Sequence, residues 1–375
     1  PDELHQAFNF RFLSTPWSAA AYREVIETSL TTMRAVGAPT TWVLSNHDVI
    51  RHASRFGLPR QHPGGHAGGA DRDEPVDEAV GLARARAATL MMLALPGSAY
   101  LYQGEELGLP EVFDLPDEVR QDPRFFRTNG EALGRDGCRV PLPWSGTAPP
   151  FGFGPAGSRP WLPQPAGWSA LTVEAQRRDP ESTWSMYRDA LALRRRMRLG
   201  LGELAWLEPP APEVLGFSRT CPGGTLICAI NCGDQPVRLP AGYGAPVRAS
   251  GGEALSGRVL PPDTAVWTTP ARPATPPDLP APPDLPPPPG PAASGRGGRG
   301  RAPRRGLAAE RQVHHPAGPG GRRPGRAEQH QLVEQVEEDQ QPGRGGDHRV
   351  RRVVLHLADV EASERTQQQQ PGRHQ

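Results

Sequence analysis

The sequence predicts an α/β fold, followed by a small antiparallel β domain and a disordered tail. Three observations predict it. Apolar runs of strand length alternate with long helical segments over the first part of the chain. Short β-prone segments separated by turn residues occupy the stretch from residue 204 to residue 269, and beyond it aromatic residues cease. The protein has 375 residues and a net charge of +1, so no global charge points to nucleic acid or to a membrane surface. It contains no lysine and uses arginine throughout, the mark of a GC-rich coding sequence. No apolar run reaches the roughly 18 residues that a membrane helix needs. No secretion signal follows Pro1, and the sequence reads as a fragment.

Each element has its own justification. Residues 4–13, LHQAFNFRFL, read as a strand carrying aromatics, and Pro16 then opens a loop. Ser18 is suited to cap a helix that places Tyr22, Val25, Ile26, Leu30 and Met33 on one face and stops at Gly37 and Pro39. TTWVLS, residues 40–45, is a continuous apolar strand. After a glycine-rich polar loop, residues 76–95 form a second helix closed by Pro96 and Gly97, and SAYLY, residues 98–102, is a further apolar strand that runs into QGEELG. This alternation, with strands apolar on both faces, means a parallel sheet covered by helices. Chemistry in such sheets gathers at the carboxyl ends of strands. His47 and Asp48 lie at one such end; Gln103, Glu105 and Glu106 lie at the next.

A long irregular stretch, about 108–180, is rich in Pro, Gly and Trp, as loops that shape a site often are. STWSMYRDALALRRRM is then a helix whose arginine-rich last turn suits the negative end of its dipole, with Gly200 as the stop. LAWLE, VLGFSR, TLICAINC and TAVWTT supply the strands of the antiparallel domain. Domains are therefore expected at 1–202, 203–270 and 271–375.

Cys138, Cys221, Cys228 and Cys232 show no CxxC spacing, which excludes the usual zinc and redox motifs. Cys228 and Cys232 fall on one strand face and read as buried thiols, in keeping with a reducing cytoplasm. His62, His66, Asp71, Asp73 and Glu74 can be drawn as a metal site, but their glycines and irregular spacing favour a solvated loop. No metal or cofactor is expected. Packing of the long loop accounts for Trp144, Trp161 and Trp168 at least as well as a role as stacking platforms for a ligand.

Together LHQAFNFRFL, LSNHDVIRHASRFG, LALPGSAYLYQGEELGL and GRDGCRVPLPW resemble the C-terminal half of an α-glucosidase of the α-amylase superfamily, from Pro1 to about Thr269. The resemblance implies strands six to eight of a (β/α)8 barrel, at 4–13, 40–45 and 98–102, followed by a β-sandwich. It implies retaining cleavage of α-glucosidic bonds in malto- or isomalto-oligosaccharides. Asp48 would then be the transition-state stabiliser, with His47 bonding the same glucosyl ring, Asn46 completing the motif and Arg51 lining the pocket. The nucleophile and acid carboxylates of such enzymes match no segment here, so the chain alone is expected to be inactive. Glu105 and Glu106 would shape the barrel mouth, and Arg139 would brace its loop. One departure stands out, since Arg11 occupies a position where the family has an acidic residue. A transglycosylating or isomerising relative fits the same motifs, and linkage preference is not legible.

The tail opens on a proline run at 271–290 and continues through Arg-Gly repeats to a glutamine-rich end. It lacks the apolar residues that would offset its ordering entropy, so disorder is expected. Arg-Gly runs resemble segments that bind single-stranded RNA. A GC-rich gene read in a wrong frame gives the same mixture, and a nucleic-acid partner is not the expectation.

Overall fold

A computed structural model describes residues 6–59, 75–251 and 256–270. The 62–74 loop residues considered above and the whole tail lie outside the described residues.

The first segment corrects an expectation. Residues 6–9 have no regular structure, and Phe10–Leu13 close a single helical turn, α1, in place of a strand. Asn9 decides between the two, because its side-chain oxygen accepts from Phe12 N at 3.0 Å and so caps the turn. A strand would have put Phe8, Phe10 and Phe12 on one face. Instead Phe12 is buried, while Phe8 and Phe10 are exposed.

Helix α2, Ala19–Ala35, starts where expected, with the Ser18 hydroxyl accepting from Ala21 N. It buries Tyr22, Val25 and Ile26, leaves Leu30 and Met33 half-buried, and gives way at Gly37, whose φ of 68° favours glycine. Strand β1, Thr41–Val43, is buried throughout. A short helix, α3 (His52–Arg55), and a long one, α4 (Glu78–Ala94), lead to strand β2, Ser98–Tyr100. The strands β1 and β2 pair in parallel, with Trp42 opposite Ala99. A parallel pair needs a crossover of this length, and the buried helix α4 supplies it. Yet β2 is not apolar on both faces. Ser98 and Ala99 are half-buried, Tyr100 is exposed, and the outer edge of β2 meets no further strand among the described residues.

The long stretch is less irregular than its composition suggests. It holds helices α5 (Pro123–Arg127) and α6 (Val173–Arg177), and it encloses an apolar cluster of its own around Leu107, Val140, Phe151 and Trp168. Helix α7, Thr183–Met197, stops at Arg198, which takes the left-handed conformation two residues before Gly200. Arg194, in its last turn, donates to the carbonyls of Leu93, Leu95 and Gly97. That arginine therefore satisfies the C-terminal end of α4, which has no donors of its own for these carbonyls.

Seven strands follow: β3 (Glu203–Trp206), β4 (Val214–Cys221), β5 (Gly224–Asn231), β6 (Val237–Arg238), β7 (Ala245–Ala249), β8 (Val259–Leu260) and β9 (Thr264–Thr269). Five make an antiparallel sheet in the order β3-β4-β5-β9-β7, and β6 pairs with β8. Phe217, Cys228, Ile230 and Trp267 from this sheet share one apolar core with Trp42, Leu90 and Met91. Trp267 is fully buried and its indole donates to Leu90 O at 2.9 Å, which locks β9 onto α4. At about 25 cal/mol per Å², burying an indole of about 200 Å² contributes up to about 5 kcal/mol. All four cysteines are free; Cys228 is buried in β5, whereas Cys232 lies one residue past the strand and is half-buried. No described helix is long and apolar enough to cross a membrane, and no described cluster of His, Cys, Asp and Glu has the makings of a metal site.

Candidate functional site

Just past the C-terminal end of β1 the chain leaves the core through Leu44 and Ser45 and turns at Asn46. The Asn46 side-chain oxygen accepts from Asp48 N at 2.8 Å, closing an Asx turn. Asn46 is thereby consumed by the backbone and buried. The turn throws the next two side chains outward, with His47 63% and Asp48 41% exposed. Their near atoms, His47 Nε2 and Asp48 Oδ2, are 3.4 Å apart.

Two arginines from a distant loop close on Asp48. Arg135 Nη1 donates to Asp48 Oδ1 at 2.6 Å, and Arg139 Nη2 approaches the same oxygen at 3.4 Å. Arg139 also donates through Nε to the carbonyl of His47 at 3.0 Å, so it reaches out of its own loop to brace the turn. Arg135 in turn donates through Nε to Asp122 Oδ2, whose side chain is 2% exposed. Burial pushes the Asp122 carboxyl up, but hydrogen bonds from Arg135 and from backbone amides outweigh it and leave its pKa below the ordinary value. The bond to Asp122 raises the Arg135 pKa in its turn. Asp122 thus supplies a second anchor for Arg135, while on Asp48 the two arginines share Oδ1 and Oδ2 faces His47.

Arg51 is placed differently from the expectation that it lines a pocket. It is 2% exposed. Its Nη1 donates to Gln103 O and its Nη2 to Cys138 O, each at 2.7 Å, and its ring neighbour is Tyr102 at 5.4 Å. The physical reason is a carbonyl-lined slot: a planar guanidinium satisfies two backbone acceptors at once, and a pocket position would leave Gln103 O without this donor and Cys138 O with the Tyr102 hydroxyl alone. Gly104, at φ 88°, lets the β2 loop come this close, since a Cβ there would stand 2.6 Å from Arg51 Nη1. Arg51 thus ties together the ends of β1 and β2 and the loop that carries Arg135 and Arg139.

Behind this layer lies a buried polar network. Arg55 donates to the carbonyls of Leu13, Leu44 and Ile50, fixing α1 against the end of β1. Ser45 Oγ accepts from His52 N and pairs with His52 Nδ1 at 2.7 Å. Burial, helped by Arg55 and Arg51, drives the His52 pKa down to about 3, so the ring is neutral at ordinary pH. Glu105 faces it at 3.8 Å, with its own pKa well above the ordinary value because burial disfavours the carboxylate. Burial likewise raises Glu106. Of the three tryptophans, Trp168 is packed in the loop core, while Trp144 and Trp161 are exposed. Trp161 donates its indole proton to Val119 O. Sequence reasoning missed Arg135 and Asp122; GRDGCR, with an arginine on each side of a turn, holds a signal for the first.

An Asx turn at a strand end, presenting an imidazole and a carboxylate flanked by guanidinium groups, defines a polar site suited to hydroxyl-rich ligands. Residues 3–200 match the family described as the catalytic domain of alpha amylase, and the chain belongs to that family. A probable alpha-glucosidase of Rhizobium meliloti is 33% identical over 238 residues, which cover 62% of this chain and 38% of that protein. A salivary alpha-glucosidase of Anopheles gambiae is 30% identical over 243 residues, covering 62% of this chain and 36% of that protein. Among solved structures, the alpha-glucosyl transfer enzyme XgtA has 32% identity and a TM-score of 0.54, over 71% of this chain and 46% of its own. A trehalulose synthase, MutB, shares the fold at 22% identity and a TM-score of 0.54, over 71% of this chain and 51% of its own. The chain therefore spans less than half the length of these two glucosidases.

Proposed function

We propose that this chain is the C-terminal half of an α-glucosidase-like retaining enzyme acting on malto- or isomalto-oligosaccharides in the cytoplasm, and that Asp48 is its transition-state stabiliser. One observation carries the reading: a solvent-facing carboxylate, oriented by Arg135 and Arg139 and adjoined by His47, sits at the end of β1 in a chain of the α-amylase family. As positive charge develops on the glucosyl ring, a fixed carboxylate accepts the ring hydroxyls more strongly and lowers the barrier. His47 bonds the same ring. Asn46 and Arg51 act behind them, by holding the turn. On this reading β1 and β2 are the seventh and eighth barrel strands, and the segment before α1 takes the sixth position. The Thr41 hydroxyl donating to Ala7 O supports that, because it sets residue 7 beside β1. Residues 1–202 then belong to the barrel and 203–270 to a β-sandwich.

Retention needs two further carboxylates about 5 Å apart, one nucleophile and one acid. Glu105 and Glu106 do not supply them, since Glu105 is 4% exposed and faces His52, and Glu106 is turned back to accept from Gly104 N at 2.7 Å. Residues 1–375 alone are therefore expected to release no phenol from an aryl α-glucoside. Turnover that Asp48→Asn abolishes would refute the missing-carboxylate argument, and turnover that Asp48→Asn leaves intact would refute the role of Asp48. The resemblance to XgtA supports glucosyl transfer at the same site as a second reading. It predicts that a sugar acceptor captures the glucosyl group in preference to water.

A further inference from the structure

We propose that Glu111 is a positioning residue for this site, a half-buried clasp that sets the Asn46–Asp48 turn against the 135–139 loop. The proposal rests on the reading of Asp48 as a sugar contact, and it is carried by geometry. Glu111 lies beyond β2, yet its Oε2 accepts from Arg51 N at 2.9 Å. Its own backbone N–H donates to Ser54 Oγ at 2.8 Å, so the residue is pinned at both ends to the segment that follows the Asx turn. Its other oxygen presses on the second loop: a Cβ at Gly137 would fall 2.3 Å from Glu111 Oε1 and 2.5 Å from Val112 O. Only glycine allows that approach, and Gly137 lies midway between Arg135 and Arg139, the two residues that grip Asp48. One carboxyl therefore gauges the spacing between the turn that presents Asp48 and the loop that orients it.

The groups facing this carboxyl are the guanidinium groups of Arg51, Arg120 and Arg55, and the Cys138 thiol, whose pKa burial and then Glu111 raise to about 12. Burial dominates over the Arg51 amide bond and the three cations and raises the Glu111 pKa from 4.5 to about 7. The clasped state thus binds a proton that a hydrated, open Glu111 would release. By linkage, the clasp is strongest on the acid side of 4.5, weakens as pH rises toward 7, and is level above it.

The test uses residues 1–375 and the neutral probe methyl α-D-glucopyranoside, with backbone amide NMR as the second readout. In the wild type the Arg51 and Gly137 amide shifts should titrate with a midpoint near 7, and in Glu111→Gln, which keeps the acceptor but cannot ionise, they should be flat. Probe affinity should fall with rising pH more steeply in the wild type than in Glu111→Gln, and Glu111→Ala should weaken it about tenfold. Amide titration that persists in Glu111→Gln, or identical pH dependence of binding in both proteins, overturns the proposal. A wild type that binds no glucoside while the Glu111-dependent titration is present overturns the sugar reading and leaves the clasp standing.

Discussion

Replacing Arg51 by alanine should destabilise the protein by about 4 kcal/mol, the net of two lost charge-assisted hydrogen bonds at about 1.5–3 kcal/mol each and the partial relief of burying a cation. The magnitude follows from the structure. The guanidinium is 2% exposed and serves the carbonyls of Gln103 and Cys138; without it Gln103 O loses its side-chain donor, while Cys138 O keeps only the Tyr102 hydroxyl at 3.1 Å. Arg51→Lys should recover about half, because a single ammonium reaches one of two diverging carbonyls and cannot reproduce the planar fork. The assay is urea denaturation followed by tryptophan fluorescence, comparing midpoints at constant slope. A loss below about 1 kcal/mol for Arg51→Ala, or a lysine variant equal to the wild type, would refute the view that Arg51 is an internal strut.

Other outcomes follow from the same contacts. Gly81→Ala should cost more than about 3 kcal/mol in the same denaturation assay, because its Cβ would stand 2.1 Å from Ala53 O where α3 meets α4. Trp267→Phe should cost about 1–3 kcal/mol, leaving the Leu90 carbonyl without its indole donor. In pH-dependent denaturation, Glu111 should make the protein less stable as pH rises from 4.5 to about 7, by up to about 3 kcal/mol. The sign is set by the folded state holding the proton that the unfolded chain releases, and Glu111→Gln should remove the slope.

Much of the site was legible because its signals are local. Asn46, His47 and Asp48 adjoin a continuous apolar strand, and an Asx turn needs only the residues that make it. Arg51 was legible as a site residue but not as a buried one, since the carbonyls that hold it lie 52 and 87 residues further along the chain. Arg135 reaches Asp48 across the same kind of separation, and although GRDGCR marks a turn flanked by arginines, no short pattern tells that Arg135 meets Asp48. The α1 segment shows the opposite failure. Its alternating aromatics favour a strand, and a single Asn9 cap, a local signal of equal strength, prevails. Helix α2 agreed in both limits because cap, apolar spacing and terminal glycine all pointed the same way. The burial of β2 failed for a reason that lies beyond its own composition, namely that no strand covers its outer edge among the described residues.

The most direct test of the account is to map methyl α-D-glucopyranoside onto residues 1–375 by amide chemical-shift changes, in the wild type and in Asp48→Ala. The account predicts changes centred on His47, Asp48, Arg135 and Arg139 that vanish in the variant. Changes centred elsewhere, or a glucoside that binds Asp48→Ala as tightly as the wild type, would contradict it.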